Sequence, residues 1–345
     1  MSKHDHFMLE AIRLSSCGFP APNPRVGCVI VKDDAIVGRG YCNHDGGSHA
    51  EVIALRESGP KAHEATAYVT LEPCNHVGRT PPCSLALVEA GIKNVFIGTT
   101  DQNPIAEGGA AFLQQRGIEV STSVCSLQAA EVNHQFLFAI AHQRPLVTVK
   151  AGMTLDGKIA LPNGKSKWIT CEESRLDAMK LRAEMGCVLV GRVTAEVDQA
   201  RLNVRGIDVI NQPLRVVLDP KGCLDSNLPV FDESAPTLHL TNQSGIGSPA
   251  EVLQRLWERG RTGVLIEGGP TTTAHFFNAD LVDQVVLYIA PKVFGEGKSW
   301  AGPFGLSDLT NSPSFELIEM KKIENDLKLV YQSRNLRQYL ESYLT

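Results

Sequence analysis

The stretch 47-GSHAEVIALRESG-59 sets a histidine and a glutamate two positions apart at the head of an apolar run, and Gly59 and Pro60 close it. Val52, Ile53 and Leu55 give that run a helical character. Side chains two positions apart on a helix do not face each other. His49 and Glu51 can therefore serve one object only if it lies beyond the helix N-terminus, where first-turn side chains aimed at different faces can both reach it. A metal ion meets that condition, with His49 as ligand and Glu51 reaching a water beside it.

If so, a second helix should aim its N-terminus at the same point, and 71-LEPCNHVGRTPPCSLALVEAG-91 supplies one. Cys74 follows Pro73 at the end of a predicted strand, and Cys83 follows Pro81-Pro82 at a predicted helix start, where proline is favoured. The partial positive charge of a helix N-terminus stabilises a thiolate there. One histidine and two cysteines form a three-ligand zinc site with its fourth position open, the pattern of catalytic rather than structural zinc. A carboxylate beside the open position can take a proton from water and deliver it to a leaving amine. These are the parts of a hydrolytic nucleobase deaminase. The general pattern has two residues between the cysteines, whereas here there are eight. A structural zinc is the competing reading, with Cys42, His44 or His76 as a fourth ligand.

Around this centre the first half reads as α/β. A helix is predicted from about His4 to Ser16, then a hairpin of 27–31 and 35–41, strands at 65–71, 94–98 and 118–122, and a helical stretch over 127–142. Arg144-Pro145 marks the expected boundary, giving domains 1–144 and 145–345. The second half restarts the pattern with a strand at 146–152, a long helix at 172–185 stopped by Gly186, and strands in CVLVG, LRVVLD, GVLIEGG, QVVLYIAPKV and DLKLVYQ. The tail NLRQYLESYLT is a candidate amphipathic helix that caps the domain or packs on another subunit.

The chain has 345 residues, a net charge of −5, 43% apolar and 21% charged residues. Two globular domains are expected. The acidic balance, with no lysine/arginine run, argues against a protein whose main task is gripping nucleic acid. No apolar run reaches the roughly 18 residues of a membrane span, no signal-peptide core opens the sequence, and nine scattered cysteines do not form a disulfide framework. A cytoplasmic protein without membrane partners is expected.

HAEVIAL and LEPCNHVGRTPPC, together with 22-PNPRVGCVIV-31, 101-DQNP-104, 150-KAGMTLDGKIA-160, 166-SKWIT-170 and 267-EGGP-270, resemble the bacterial bifunctional riboflavin-biosynthesis proteins, a pyrimidine deaminase fused to a pyrimidine reductase. The resemblance implies a cytidine-deaminase-like three-layer α/β domain followed by a dihydrofolate-reductase-like domain. It implies Zn²⁺ and NADPH as cofactors and a small phosphorylated pyrimidine as substrate, and a homo-oligomer is expected. It places His49, Cys74 and Cys83 on the metal and Glu51 in catalysis. Substrate contacts would come from Asn23, His76, Arg79, Asn103, Lys150, Ser166, Arg182, Leu202, Arg205 and Glu267. Cofactor contacts would come from Thr154, Asp156, Trp168, Thr170, Thr194, Asp198, Gly268, Gly269, Pro270 and Thr271.

Blander readings stand beside these: a turn for Asn23, a solvated charge for Arg79, an exposed strand end for Lys150, core packing for Trp168. The chain also departs from the family pattern. Cys42 stands where a histidine is usual, with His44 two residues on, and Ser48 replaces a proline. Lys158 replaces an arginine, the segment 198-DQARL-202 loses its usual Asp-Pro, and Pro220 replaces a hydroxyl residue. The changes near Asp198 and Pro220 leave open an active deaminase with an inactive binding or dimerising second half. A nucleic-acid-editing deaminase and a non-catalytic zinc scaffold are further alternatives.

Overall fold

The computed structural model describes residues 2–77, 81–106, 108–244 and 247–344. The chain forms two compact units, one of residues 1–143 with 338–345 and the other of residues 144–337. The sequence boundary of 144/145 assigned the last eight residues, 338–345, to the second domain; their contacts assign them to the first.

The first unit contains α1 (Lys3–Ser15), β1 (Gly27–Lys32), β2 (Ala35–Tyr41), α2 (Ala50–Ser58), β3 (Thr66–Leu71), α3 (Cys83–Glu89), β4 (Asn94–Thr99), α4 (Gly109–Gln115), β5 (Glu119–Ser121), α5 (Ser126–Val132) and α6 (His134–His142). Its sheet runs β2-β1-β3-β4-β5. β1 lies antiparallel to β2 and β3, and β3, β4 and β5 run parallel. The β1–β2 turn is made by Asp33 and Asp34, both with positive φ, as a tight hairpin requires. Strand alternation decides which helix covers which face. Gly27 meets the backbone of Ala11 in α1, whereas Gly40, the partner of Cys28, meets that of Ala50 in α2. Successive strand residues point to opposite faces, so α1 and α2 cover opposite sides of the sheet. Phe7, Met8, Ala11 and Leu14 pack with Val29, Val31 and Tyr68 on the α1 side. The helical stretch predicted at 127–142 is two helices, broken at Asn133.

The second unit contains β6 (Leu146–Thr154), β7 (Lys158–Ala160), α7 (Glu172–Met185), β8 (Cys187–Gly191), α8 (Arg192–Val197), β9 (Leu214–Leu218), β10 (Thr237–Leu240), α9 (Pro249–Trp257), β11 (Gly263–Ile266), α10 (Pro270–Asn278), β12 (Gln284–Ala290), β13 (Lys298–Ser299), β14 (Phe315–Ile323), β15 (Asp326–Ser333) and the start of α11 (Arg334–Glu341). Its main sheet has the order β10-β9-β8-β11-β6-β12-β15-β14. The first six strands are parallel, and β15 and β14 extend them antiparallel. The parallel strands β8 and β11 are buried throughout, except that Gly191 is half-buried, so they read as continuous apolar runs. The exposed edge strand β14 carries no such signal, and sequence reading passed over it. Arg144 and Asp283 form a bidentate ion pair, and Asp283 also accepts from the Val147 amide, which anchors the entry to β6.

Candidate active sites

In the first unit, α2 begins at Ala50, one residue later than a helix opening on histidine would. His49 is its N-cap, with an extended backbone and no capping bond, so its ring is left to point away from the helix. The close approach of Gly40 to Ala50 fixes where that N-terminus lies. Cys83 is the first residue of α3, behind Pro82, and Cys74 sits in the segment after β3. These elements converge. His49 Nδ1 lies 3.1 Å from Cys83 Sγ and 3.6 Å from Cys74 Sγ, and the Cys83 amide points at Cys74 Sγ from 3.4 Å. All three ligand atoms lie within 4.8 Å of one another. Two soft sulfurs and one imidazole nitrogen at that separation fit a tetrahedral zinc with one position open. Cys42, His44 and His76, the candidate fourth ligands of a structural site, do not join the cluster.

The Cys83 thiol, donating to Cys74, helps hold the Cys74 thiol down to about 4 against the opposing effect of burial, and His49 and the Cys83 amide add to the effect. Glu51 is 3% exposed, and burial, with the negative charge of Cys74, pushes its carboxyl up to about 7. A carboxyl tuned near neutrality beside a metal site suits proton transfer in both directions. His44 and His76 each bury an Nδ1 with no hydrogen-bond partner among the described residues. Asn23 donates from Nδ2 to Asp45 at 3.1 Å. The Asn103 side chain accepts from the Ile105 amide, so it shapes its own turn. Arg79 lies outside the described residues.

In the second unit, a cleft of about 570 Å³ opens where the parallel strands β8, β9 and β11 end. From β8 the chain moves to β9 on one side and later returns to β11 on the other, so the cleft sits at a topological switch point. Of the residues expected at the cofactor, Thr194, Asp198, Gly269, Pro270 and Thr271 line it, and so does Ser166, expected at the substrate. Thr194 Oγ1 accepts from the Gly269 amide at 3.1 Å, joining the helix starts that follow β8 and β11. Asn242, Ser248, His275 and Lys298 also line the cleft. No motif marked them, because they come from separate elements.

Five expected cofactor residues fall outside that lining. Thr154 is fully buried, donating to Asp156 and accepting from the Lys158 amide. Asp156 accepts from the amides of Phe294 and Gly295, so both residues build the turn after β6. Gly268 packs against Thr272, and Thr170 against Gly152. Trp168 is 63% exposed under the Arg175 guanidinium, which overturns the core-packing reading.

Beside the cleft residues is a charged cluster. Glu267 takes Arg182 Nε at 2.6 Å and Nη2 at 3.0 Å, and Lys150 Nζ stands 3.7 Å away. Burial pushes the Glu267 carboxyl upward, but Arg182 and Lys150 outweigh it and hold the group at about 2. Lys150 is largely buried, which excludes the exposed strand-end reading. Arg205 is held below the usual arginine range by burial and by the charges of Arg182 and Arg201, so these arginines form one cationic neighbourhood. Arg201 was not singled out from sequence. Leu202 is 3% exposed with positive φ, so only its backbone could meet a ligand.

A zinc-deaminase unit followed by a parallel-sheet unit with a dinucleotide-sized cleft defines a two-activity nucleotide-processing enzyme. Residues 1–99 match the cytidine and deoxycytidylate deaminase zinc-binding region, and residues 145–329 match the RibD C-terminal domain. Riboflavin biosynthesis protein RibD of Aquifex aeolicus is 41% identical, over 89% of this chain and 91% of that protein. The Escherichia coli protein of the same name is 34% identical, over 94% and 98%. Among solved structures, RibD of Acinetobacter baumannii superposes with a TM-score of 0.88 at 36% identity, over 96% and 99% of the two chains. A diaminohydroxyphosphoribosylaminopyrimidine deaminase/5-amino-6-(5-phosphoribosylamino)uracil reductase of Thermotoga maritima gives 0.86 at 34% identity, over 96% and 99%. The chain belongs to the RibD family of bifunctional riboflavin-biosynthesis deaminase/reductases.

Proposed function

We propose that the first unit hydrolyses the exocyclic amine of 2,5-diamino-6-ribosylamino-4(3H)-pyrimidinone 5′-phosphate, and that the second reduces the ribosyl group of the product to ribityl with NADPH. The observation that carries the reading is the convergence of His49, Cys74 and Cys83 beside the buried Glu51. His49, Cys74 and Cys83 would hold a zinc ion, which would supply Lewis acidity that makes water nucleophilic near neutral pH. Glu51 takes the proton of the attacking water and returns it to the departing amine, so the carbon exchanges its C–N bond for C–O and ammonia leaves. Asn23, His76, Arg79 and Asn103 are assigned to hold the pyrimidine and its phosphate, and the unpartnered Nδ1 of His76 supports its part.

In the second unit NADPH, when bound, would supply hydride. Thr194, Asp198 and Gly269 to Thr271 are assigned to bind it, with the N-terminus of α10 receiving its pyrophosphate. Lys150, with its charge set against Glu267, is assigned to the ribosyl oxygens, and Arg182 and Arg205 to the phosphate, for which guanidinium forks are suited. Thr154 and Asp156 are assigned to shaping the turn that borders these groups. We place the enzyme in the cytoplasm, in keeping with nine free cysteines. No helix among the described residues is long and apolar enough to cross a membrane. We further infer that β14 mediates a homo-oligomer, because this sheet edge exposes Leu317, Ile318 and Met320.

The decisive test gives purified protein the diamino substrate and follows ammonia release and NADPH absorbance together. Ammonia independent of NADPH, followed by NADPH consumption, is expected. Ammonia without NADPH consumption would favour a second unit that only binds, and absence of both would overturn the reading.

A further inference from the structure

We propose that Tyr339 and Tyr343 are positioning residues of the deamination site, acting through residues 101–106; the inference rests on the deaminase reading above. Both tyrosines lie in the segment that follows the second unit in sequence yet belongs to the first. Leu336 and Leu340 are fully buried on the same helix, so the segment is docked rather than trailing. The Tyr339 ring meets Phe138 and His142 edge-on, and its hydroxyl lies 3.0 Å from the Leu137 carbonyl and 3.2 Å from Gln102 Oε1. Tyr343 places its hydroxyl 3.0 Å from that of Tyr339, and its backbone carbonyl accepts from Ser126 Oγ at 2.5 Å. The Asp101 carboxylate is near enough to act on the Tyr343 hydroxyl.

What these tyrosines hold is the loop that backs the Cys74 segment. The Asp101 amide donates to Glu72 Oε2 at 3.3 Å, and Glu72 Oε1 accepts from the Ala110 amide at 2.9 Å. The Asn75 amide donates to the Ala106 carbonyl at 3.2 Å. A Cβ on Gly109 would lie 1.8 Å from the Pro73 carbonyl oxygen, so the chain there is pressed against the residue before Cys74. Asp101 is 8% exposed. The path from the Tyr339 hydroxyl to the Cys74–His76 segment is thus short and continuous: Gln102, Asp101, Glu72. Pinned at both ends, the loop presents Asn103, and the segment it backs presents His76, to substrate in one arrangement; released from Tyr339, the loop samples several, which weakens binding more than chemistry.

The test compares the full zinc-loaded chain with Tyr339→Phe and with a chain lacking residues 338–345. Phenylalanine keeps the ring packing and removes only the hydroxyl. Tyr339→Phe is expected to raise the KM for ammonia release severalfold with a smaller change in kcat, and the deletion to raise it further. Both should leave KM and kcat for NADPH oxidation with the deaminated compound unchanged. An unchanged deaminase KM in Tyr339→Phe, beside a wild-type chain that releases ammonia, overturns the positioning role alone. So does a kcat that merely tracks the folded fraction. A wild-type chain that releases no ammonia overturns the deaminase reading and this inference with it.

Discussion

Glu51 is a buried carboxylate and Glu267 a largely buried one, and their surroundings drive them in opposite directions. Glu51 has burial and a neighbouring thiolate acting together, which lifts it to about 7. Glu267 has burial opposed by two cations, which leaves it at about 2. The first is suited to carrying a proton, the second to holding charge in place. Glu51→Gln keeps the size of the side chain and removes its base. Ammonia release should fall by about 10²–10⁴-fold while metal analysis still finds zinc and NADPH oxidation on the deaminated compound is retained. Glu267→Gln leaves Arg182 and Lys150 buried without their counter-charge, which should destabilise the second unit by roughly 3 kcal/mol in denaturant titrations at neutral pH. The pH dependence has a definite sign. The carboxyl lies below its ordinary value of 4.5, so its contribution is complete above that pH and is lost as pH falls toward about 2. Wild-type stability should therefore drop across that window by a share that Glu267→Gln does not lose; equal slopes for the two proteins would count against the assignment.

At the scale of elements, the zinc site depends on how closely α2 can approach the sheet. Gly40 has no side chain because a Cβ would stand 2.0 Å from the Ala50 carbonyl oxygen. Gly40→Ala should push the start of α2 outward, at a cost of about 1–3 kcal/mol, and carry His49 away from the two cysteines. Zinc per chain, measured on the purified variant, should fall well below one, and ammonia release should fall with it. Full zinc occupancy would mean that the helix start is not set by this contact. Most elements could be read from the sequence, because the buried strands are continuous apolar runs and the 172–185 helix ends at a glycine stop, Gly186. The break at Asn133 and the exposed strand β14 could not. The two α-helices flanking Asn133 share one apolar pattern, and β14 is exposed along nearly its whole length, so burial left no mark on it.

For the whole molecule, the two sites draw on different chemistry and should respond separately. Stripping zinc with a chelator should abolish ammonia release and leave NADPH oxidation with the deaminated compound intact, because none of the residues lining the second unit's cleft belongs to the His49, Cys74 and Cys83 cluster. Parallel loss of both activities would point to unfolding of the chain. Asp198 and Pro220 both line the cleft, and the cleft remains open around them, with Thr194 and Gly269 in place.

The sequence by itself pointed to the family and to His49, Glu51, Cys74 and Cys83 as one group, because metal chemistry restricts residue type and because His49, Glu51 and Cys83 sit at helix starts, and Cys74 after a strand end, that local rules identify. Residues such as Thr154, Asp156 and Trp168 carried a family expectation but no local signal of whether their side chains face a ligand, a turn or solvent. That was decided by packing, which spent the first two on a turn and left the third exposed. Only the tertiary structure could return residues 338–345 to the first unit, since their docking depends on contacts with Leu137, Phe138 and Gln102, some two hundred residues earlier in the chain. Periodicity specifies which face of an element is apolar; which surface that face meets is fixed when the whole chain has folded.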